Sequence, residues 1–316
     1  MSAVVLPTVA FAEGDTERLG RRTVIASHNL VDHPLFTDDV IADVLDDYPY
    51  DRLFALTMGS DPLCSTDNER LDHHGVSGAE LLESVRKGRI WLNITGIDAV
   101  DSRFRTLTDD LYQAMGRSVP GSATETHATL LVSSPGAMVY YHVDGPPSYL
   151  WHIRGEKRLW VYPALDESLL STDLLEDVFA GVRQEYVPYR LDFDARAETY
   201  DLVPGQVAIW PQNAPHRVTN GDSVNVSLVT DHYTAAARRR ARVFTANQFF
   251  RSRAHIPRRF LSSNEVGPTA TAKVIVHKVA SKAGLGQPLR KEHRAPVRRV
   301  DPSTPTGMST IDPSRA

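Results

Sequence analysis

The sequence predicts a mainly β protein with flanking helices. Between residues 125 and 229, short apolar segments are separated by turns that contain Gly and Pro, which is the pattern of consecutive β-strands. The residues before this region contain amphipathic segments with helix N-cap signals, and the residues after it include an Arg-rich segment of helical propensity. With 316 residues, 41% of them hydrophobic, the chain is long enough for one large β domain with additional elements.

Composition and pattern divide the chain into four regions. Residues 1–120 are predicted to form helices and strands that pack on the core, and residues 121–234 are predicted to form the β core itself. Residues 235–262 are predicted to be a basic helical region. Residues 263–316 are rich in Pro, Ser and Thr, so we expect a largely disordered tail.

The first region alternates helix and strand signals. We predict three amphipathic helices and two strands, at residues 37–48, 52–58, 78–87, 89–95 and 98–115. The first helix and the first strand are expected to lie outside the core. On the second strand, Asn93 lies on the opposite face from Ile90, Leu92 and Ile94; it could line a pocket, but the sequence favours a surface position.

The strongest chemical signal is the triplet His142-Val143-Asp144. Residues alternate faces along a strand, so the imidazole and the carboxylate lie on the same side. A third ligand, His216, follows an apolar strand over residues 207–210 and a loop bounded by Pro. His-x-Asp followed much later by His is the sequence form of the facial triad that holds non-haem Fe(II) and leaves the opposite positions open. Because a bare His-x-Asp also occurs by chance, the alternative is a solvated pair on a loop.

A lysine at position 157 lies fifteen residues after His142, on a strand that follows the Arg154-Gly155 turn. Lys157 shares one face of this strand with Leu159 and Val161. An ammonium group among apolar side chains is costly unless an anion pairs with it, so an anionic cosubstrate such as 2-oxoglutarate is a suitable partner. The alternative is a lysine at a strand end whose ammonium reaches solvent.

A polar strand face is predicted close to the distal histidine. Asn225 and Ser227 lie on the opposite face from three apolar residues of the strand over residues 224–228. If this face lines the core, the two side chains provide hydrogen bonds to a cosubstrate in an apolar cavity. The alternative is the solvated face of a half-buried strand.

The motif HVDGPPSYLWHIRGEKRLWVYP, residues 142–163, resembles the core of JmjC-type, cupin-fold Fe(II)/2-oxoglutarate oxygenases. The resemblance is greatest to the branch that includes the asparaginyl hydroxylase inhibiting hypoxia-inducible factor. In this family the His-x-Asp pair, a lysine fifteen residues beyond the His and a distal His occur in the same order. The positions that match are His142, Asp144, Lys157 and His216, and the resemblance extends over about residues 126–233.

Two positions differ from the pattern of that hydroxylase. Val139 stands where it has a Thr that helps to hold 2-oxoglutarate. Ser227, with Asn225 nearby, stands where it has an Asn after the distal His. The second half of the cosubstrate pocket therefore differs between the two proteins.

The resemblance implies a double-stranded β-helix core, that is, a jelly roll of the cupin/JmjC type. It implies that His142, Asp144 and His216 hold Fe(II) and are at the same time the catalytic residues. It further implies that 2-oxoglutarate is the cosubstrate, that its distal carboxylate is bound by Lys157 with Ser227 and Asn225 as further contacts, and that dioxygen is the oxidant.

Three functions are compatible with these features. The first is hydroxylation of a C–H bond on a protein or peptide side chain, and the second is hydroxylation of a small molecule in specialised metabolism. The third is a non-catalytic, metal-binding cupin that acts as a regulator or as a nucleic-acid-associated module. Lys157 argues against the third function, because a binding-only cupin has no need for a buried carboxylate anchor.

Charge is distributed unevenly along the chain. From residue 235 onward there are 17 Lys and Arg against 4 Asp and Glu, a net charge of +13, whereas the preceding part carries −17. For the basic helix predicted over residues 234–253 we consider three roles: formation of a homodimer, binding of an acidic macromolecule such as nucleic acid, and a solvated face.

The composition favours a cytoplasmic protein without a membrane partner. The single cysteine, Cys64, excludes an internal disulfide and fits a reducing compartment. The N-terminal stretch lacks a basic segment and is interrupted by Pro7, so we expect no signal peptide. No window approaches the roughly 20 apolar residues of a membrane-spanning helix.

Overall fold

The computed structural model describes residues 6–117, 123–183, 185–285 and 296–311. Its strands are β1 (Val9–Ala10), β2 (Val24–His28), β3 (Leu53–Thr57), β4 (Leu71–Asp72), β5 (Ile90–Thr95), β6 (Thr124–Ser133), β7 (Met138–His142), β8 (Ser148–Arg154), β9 (Lys157–Val161), β10 (Glu198–Leu202), β11 (Gln206–Ile209), β12 (His216–Asn220), β13 (Asn225–Tyr233), β14 (Arg298–Val300) and β15 (Met308–Thr310). Its α-helices are α1 (Asp15–Arg18), α2 (Asp38–Asp46), α3 (Gly78–Lys87), α4 (Ile97–Val100), α5 (Ser102–Gly116), α6 (Thr172–Phe179), α7 (Ala235–Arg253) and α8 (Pro268–Lys282).

Two antiparallel sheets face each other and form a jelly-roll core. The larger sheet has the strand order β1-β2-β11-β8-β13-β6-β5-β3, and the smaller sheet has the order β10-β9-β12-β7. Leu150 of the larger sheet and Leu159 and Val218 of the smaller sheet belong to one buried apolar cluster between them. The predicted fold class, mainly β with flanking helices around a double-stranded β-helix, is confirmed.

Burial along the strands tests the predicted faces. On β9, Lys157 and the two apolar residues of its face are buried, whereas Arg158 is exposed, as predicted. On β13, both faces are buried, because Asn225 and Ser227 are as inaccessible as Val226 and Leu228. The interpretation of this polar face as solvated is therefore wrong.

The N-terminal region extends the larger sheet. Strand β5 pairs with β6, and β3 pairs with β5, so the strand expected to lie outside the core is the edge strand of the sheet. Helix α2 begins at its N-cap Thr37, and α3 begins at Ser77 with a reciprocal capping box to Glu80. Strand β2 was not predicted from the sequence; its five residues pair with β11 and with β1.

Helices α6, α7 and α8 cover the smaller sheet. Their residues Leu175, Phe244 and Ala270 form a buried cluster with Tyr141 of β7. Helix α7 occupies most of the segment predicted to be a basic helix. No described helix has the length and the hydrophobicity that a transmembrane span requires.

The tail differs from the expected disorder in the part that the structure describes. Helix α8 begins with Pro268 at its first position, and β14 pairs with β15 and, in parallel, with β4. Val300 is 1% exposed and belongs to the main apolar core. Val300 is thus a single anchor of the tail in this core, with Met308 packed beside it, and isolated anchors produce no periodic signal.

We predict that Gly307→Ala lowers the free energy of unfolding by about 1–2 kcal/mol or more, because L-residues are disfavoured in the left-handed region and steric overlap adds to this cost. Gly307 has a φ of +68°, and a Cβ atom there would lie 2.5 Å from the Ser84 carbonyl oxygen. Urea denaturation measures the change. The matched control is Gly75→Ala, at a φ of +73° with no heavy atom within 4 Å of the new Cβ. Equal losses in the two variants would show that the contact with α3 contributes nothing.

Candidate metal centre

Three side chains with metal-binding atoms meet at one end of the smaller sheet. They are His142 at the end of β7, Asp144 just beyond it and His216 at the start of β12, and one ligand atom from each lies within 4.8 Å of the others. β7 and β12 are antiparallel, and His216 is the register partner of His142. Because opposed residues on paired strands project to the same face, the two imidazole centroids are only 4.0 Å apart.

The Asp144 carboxylate faces both imidazoles. Its Oδ1 lies 3.8 Å from His142 Nε2, and its Oδ2 lies 3.5 Å from His216 Nε2. These separations are too long for direct hydrogen bonds. They suit three ligands around one cation, whose bonds to nitrogen and oxygen are about 2.0–2.2 Å long.

Backbone carbonyls fix the orientation of both imidazoles. His142 Nδ1 lies 2.7 Å from the Tyr140 carbonyl oxygen, and His216 Nδ1 lies 3.1 Å from that of Ala214. Because a carbonyl oxygen only accepts, each Nδ1 carries the proton and donates it. The lone pair of each Nε2 is then directed toward Asp144, which is the arrangement that a metal ligand requires.

Burial keeps His216 in the neutral form that binds metals. Loss of hydration lowers the pKa of His216 to about 4, and repulsion from His142 adds to this effect, whereas the Asp144 carboxylate and the hydrogen bond to Ala214 oppose it. An imidazole must be neutral to coordinate a metal ion. At neutral pH, His216 therefore needs no deprotonation to serve as a ligand.

The loop before β12 is tied to the chain around Asp144. Asn213 Nδ2 donates a hydrogen bond of 2.7 Å to the Asp144 carbonyl oxygen, and Gln212 Nε2 donates one of 3.0 Å to that of Gly145. Trp210 packs against the His216 ring with a centroid distance of 4.4 Å. These contacts hold the carboxylate and the distal imidazole in one unit.

The three ligands line a cavity of about 270 Å³ between the two sheets. Apolar side chains such as Leu150, Trp210 and Val218 form part of its wall. The charged residues that line it, besides Asp144, are Lys157, Glu185 and Asp231. A lining that combines apolar side chains with convergent polar groups is typical of sites for small ligands.

Lys157 lies at the other end of this cavity. On β9 it pairs with Asn220, four residues along β12 from His216, a separation of about 13 Å at ~3.3 Å per residue. Lys157 is 7% exposed, so the interpretation of an ammonium that reaches solvent is wrong. Its Nζ donates a hydrogen bond of 2.8 Å to Ser227 Oγ. Burial lowers the pKa of Lys157 to about 7, and no carboxylate among the described residues opposes this shift.

The two further cosubstrate contacts expected from the sequence have different positions. Ser227 contacts the Lys157 ammonium and lies behind the cavity wall, where it is fully buried. Asn225 lies away from the cavity, because its amide donates to the Ser223 carbonyl oxygen and packs against the turn at Gly155. Asn225 therefore does not contribute to this cavity.

Two residues of the cavity wall were not predicted as such: the surface was the favoured position for Asn93, and Asp231 was not considered. Asn93 lines the cavity and is not a surface residue, because β5 lies inside the larger sheet and its second face is turned toward the smaller sheet. Asp231 also lines the cavity and accepts a hydrogen bond of 2.6 Å from Ser148. Burial and the nearby Asp144 carboxylate raise the pKa of Asp231 to about 7. The strand alternation could have identified it, because Asp231 shares its face with Ser227.

The donor set fits a divalent ion of the non-haem iron type. Two imidazoles and one carboxylate approach from one side, and the cavity occupies the other side. This two-His, one-carboxylate arrangement with open positions is the ligand set of non-haem Fe(II) oxygenases. The residues that are present therefore suit Fe(II).

No protein-family model and no curated protein matches the chain. Among solved structures, that of Escherichia coli ycfD is similar with a TM-score of 0.51 and 14% sequence identity, over 88% of this chain and 69% of that chain. A structure of E. coli YcfD, described as a ribosomal oxygenase in complex with cobalt and 2-oxoglutarate, has a TM-score of 0.48 and 12% identity, over 89% and 69% of the two chains.

A third structure, of E. coli ribosomal oxygenase YcfD, has a TM-score of 0.48 and 14% identity, over 87% of this chain and 68% of that chain. None of these structures is the asparaginyl hydroxylase that the motif resembles. At such low identity, the likeness to ycfD establishes a shared fold.

We predict that the protein binds one Co²⁺ ion per chain and that Asp144→Ala and His216→Ala abolish this binding. Calorimetric titration measures the stoichiometry, and the absorption of bound Co²⁺ reports nitrogen and oxygen ligation. The control is His127→Ala, which removes an exposed histidine of β6 and should leave the titration unchanged. Unaltered Co²⁺ binding by both ligand variants would exclude this centre.

Proposed function

We propose that this protein is an Fe(II)/2-oxoglutarate-dependent oxygenase that hydroxylates a C–H bond on a protein or peptide side chain. The observation that carries the proposal is the pairing of two sites in one cavity. The metal triad lies at one end, and the buried ammonium of Lys157 lies at the other. A dicarboxylate that chelates a metal through one end and binds an ammonium through the other matches both sites.

The position of Lys157 argues against a binding-only cupin. A lysine in an apolar interior destabilises the fold unless an anion neutralises it. The only hydrogen-bond acceptor that the described structure gives Lys157 is the neutral hydroxyl of Ser227. Such a residue has a clear role if an anionic ligand enters the cavity.

Fe(II) bound at this centre would supply the activation of dioxygen. His142, Asp144 and His216 would hold it by one face, and the remaining positions would open toward the cavity. Lys157 would orient 2-oxoglutarate by its distal carboxylate. The apolar wall would keep water from the reacting groups. Each turnover would consume one 2-oxoglutarate and one dioxygen, release succinate and carbon dioxide, and leave one hydroxyl group on the substrate.

A protein substrate is supported by the shared fold. The E. coli protein with this fold is described as a ribosomal oxygenase, and it has been solved in complex with cobalt and 2-oxoglutarate. The 270 Å³ cavity has room for a dicarboxylate and one further side chain, and no room for a large folded substrate. We therefore propose that a side chain enters the cavity from a protein bound outside it.

We predict that Lys157→Met abolishes 2-oxoglutarate binding and 2-oxoglutarate-dependent succinate release. The matched control is Arg158→Met, on the exposed face of the same strand, where the arginine pairs with Asp201. Calorimetry with the Co²⁺-loaded protein and succinate release by the Fe(II)-loaded protein provide the two measurements. If Lys157→Met bound 2-oxoglutarate like the wild type, the assignment of the anchor would be wrong.

The same variant should be more stable than the wild type without ligand. A buried lysine with a lowered pKa binds fewer protons in the folded state than in the unfolded state between pH 7 and its ordinary value, so wild-type stability rises with pH in this window. The gain of Lys157→Met, on the order of 1 kcal/mol or more and thus about 2–4 °C in Tm, should be largest near pH 7 and decrease toward pH 10.

We predict that wild-type enzyme adds one oxygen atom to a protein side chain in a cell lysate supplied with Fe(II), ascorbate and 2-oxoglutarate. Mass spectrometry of proteins and metabolites identifies the product, with His216→Ala as the inactive control. If only a small metabolite gained oxygen, the protein would be a small-molecule hydroxylase and the proposed protein substrate would be wrong. No oxygenated product despite intact binding of Co²⁺ and 2-oxoglutarate would favour the binding module.

A further inference from the structure

A buried histidine lies behind the lysine anchor. His152, on β8, is completely inaccessible, and it does not line the cavity. Its Nδ1 lies 3.1 Å from Ser227 Oγ, and its Nε2 lies 2.9 Å from the Gly155 carbonyl oxygen. Ser227 Oγ in turn accepts the 2.8 Å hydrogen bond from Lys157 Nζ. A continuous chain of hydrogen bonds thus connects the ammonium to the turn before β9.

The direction of every bond in this chain is determined by its ends. The Lys157 ammonium has only donors, so Ser227 Oγ must accept from it. The Gly155 carbonyl oxygen only accepts, so His152 Nε2 must donate to it. The remaining imidazole nitrogen, Nδ1, is then an acceptor, and the hydroxyl of Ser227 donates its single hydrogen bond to it. Burial and the nearby Lys157 lower the pKa of His152 to about 3, which keeps the imidazole in this neutral form.

In this arrangement Ser227 Oγ can only accept toward the ammonium, because its single proton is already donated to His152. Because the hydroxyl proton is used by His152, the hydroxyl cannot rotate to donate toward the cavity. The Gly155 turn, at the other end of this chain of hydrogen bonds, is also constrained. Gly155 has a φ of +85°, and it lies two residues before Lys157, against the amide of Asn225. The imidazole therefore links the hydroxyl that receives the ammonium to the turn that begins its strand.

We propose that His152 is a positioning residue, which acts through Ser227 to fix where the Lys157 ammonium meets the distal carboxylate of the cosubstrate. This inference rests on the proposed function, since it concerns the anchor for 2-oxoglutarate. A buried histidine that only satisfies its own hydrogen bonds is the competing explanation. The two explanations make different predictions. If His152 is a positioning residue, its substitution changes the affinity only for ligands that contact Lys157, and only while Ser227 is present.

Two substitutions of His152 test the hydrogen bonds of its two ring nitrogens one at a time. In His152→Gln the amide nitrogen replaces Nε2 as donor to Gly155, and the acceptor for Ser227 is lost. In His152→Asn the amide oxygen replaces Nδ1 as acceptor for Ser227. We expect the dissociation constant for 2-oxoglutarate of the Co²⁺-loaded protein to rise about fivefold in His152→Gln and in Ser227→Ala, the equivalent of one hydrogen bond. His152→Asn should remain within about twofold of the wild type.

The double variant provides the decisive comparison. If His152 acts through Ser227, His152→Gln should cause no further loss in the Ser227→Ala background. Independent effects, with losses that multiply, overturn the proposal. Unchanged affinities for 2-oxoglutarate in the folded single variants His152→Gln and Ser227→Ala also overturn it. Should His152→Gln fail to fold, judged by its thermal transition, the comparison of Ser227→Ala with His152→Asn decides the matter: an unaffected Ser227→Ala contradicts the proposal.

A second ligand distinguishes positioning from general damage. 2-Oxobutanoate keeps the metal-chelating group and lacks the distal carboxylate, so its affinity should be equal in the wild type and in all variants. A parallel loss for both ligands would indicate a structural role and overturn the proposal. If the wild type bound no 2-oxoglutarate at all, the proposed function would fail with it. Normal wild-type binding combined with unaffected variants removes only the role of His152.

Discussion

The register between β7 and β12 is the constraint on which the rest of the site depends. It places His216 opposite His142, and an irregularity adds one residue on β7 between the partners of His216 and Val218. Side chains alternate between faces, so a slip of one residue would turn an imidazole away from the cavity. The apolar residues between the sheets stabilise this register, because the same slip would expose them. Core packing and ligand placement are thus one requirement.

The cavity combines groups of opposite charge at a cost to the folded state. The carboxylates of Asp144 and Asp231 lie near each other, and burial together with the nearby Asp144 carboxylate raises the pKa of Asp231 to about 7. At the other end of the cavity, burial lowers the pKa of Lys157. Shifts of this kind cluster where a protein is built to bind ligands and not where it is built for stability alone. A cation at one end and an anion at the other would relieve both costs.

Local patterns predicted only part of the centre of this protein. The His-x-Asp spacing indicated that His142 and Asp144 lie close together, although Asp144 lies just beyond the end of β7, and strand alternation placed Lys157 on the apolar face of its strand. For the distal His216 the local pattern gave only a candidate, and the order of motifs in a known family supports it, since no local rule brings residues 72 positions apart into contact. The jelly roll itself followed from the same resemblance.

Features that depend on the partner of each strand were not predictable in this way. Asn93 was assigned to the surface because alternation does not reveal what covers the second face of β5. Asn225 was assigned to the cavity because alternation does not show that the turn at Gly155 lies above it. His152 gave no signal at all, since an isolated histidine in an apolar strand resembles any core residue.

The pairing of β14 with β4 has a consequence for how the chain reaches its native state. Arg298 is aligned with Leu71, so these strands join segments separated by most of the polypeptide. Contacts of such long range form slowly, since the entropy of closing a large loop is lost before the contact stabilises anything. During synthesis, the core residues that pack around Val300 therefore stay incompletely covered until residue 300 has left the ribosome.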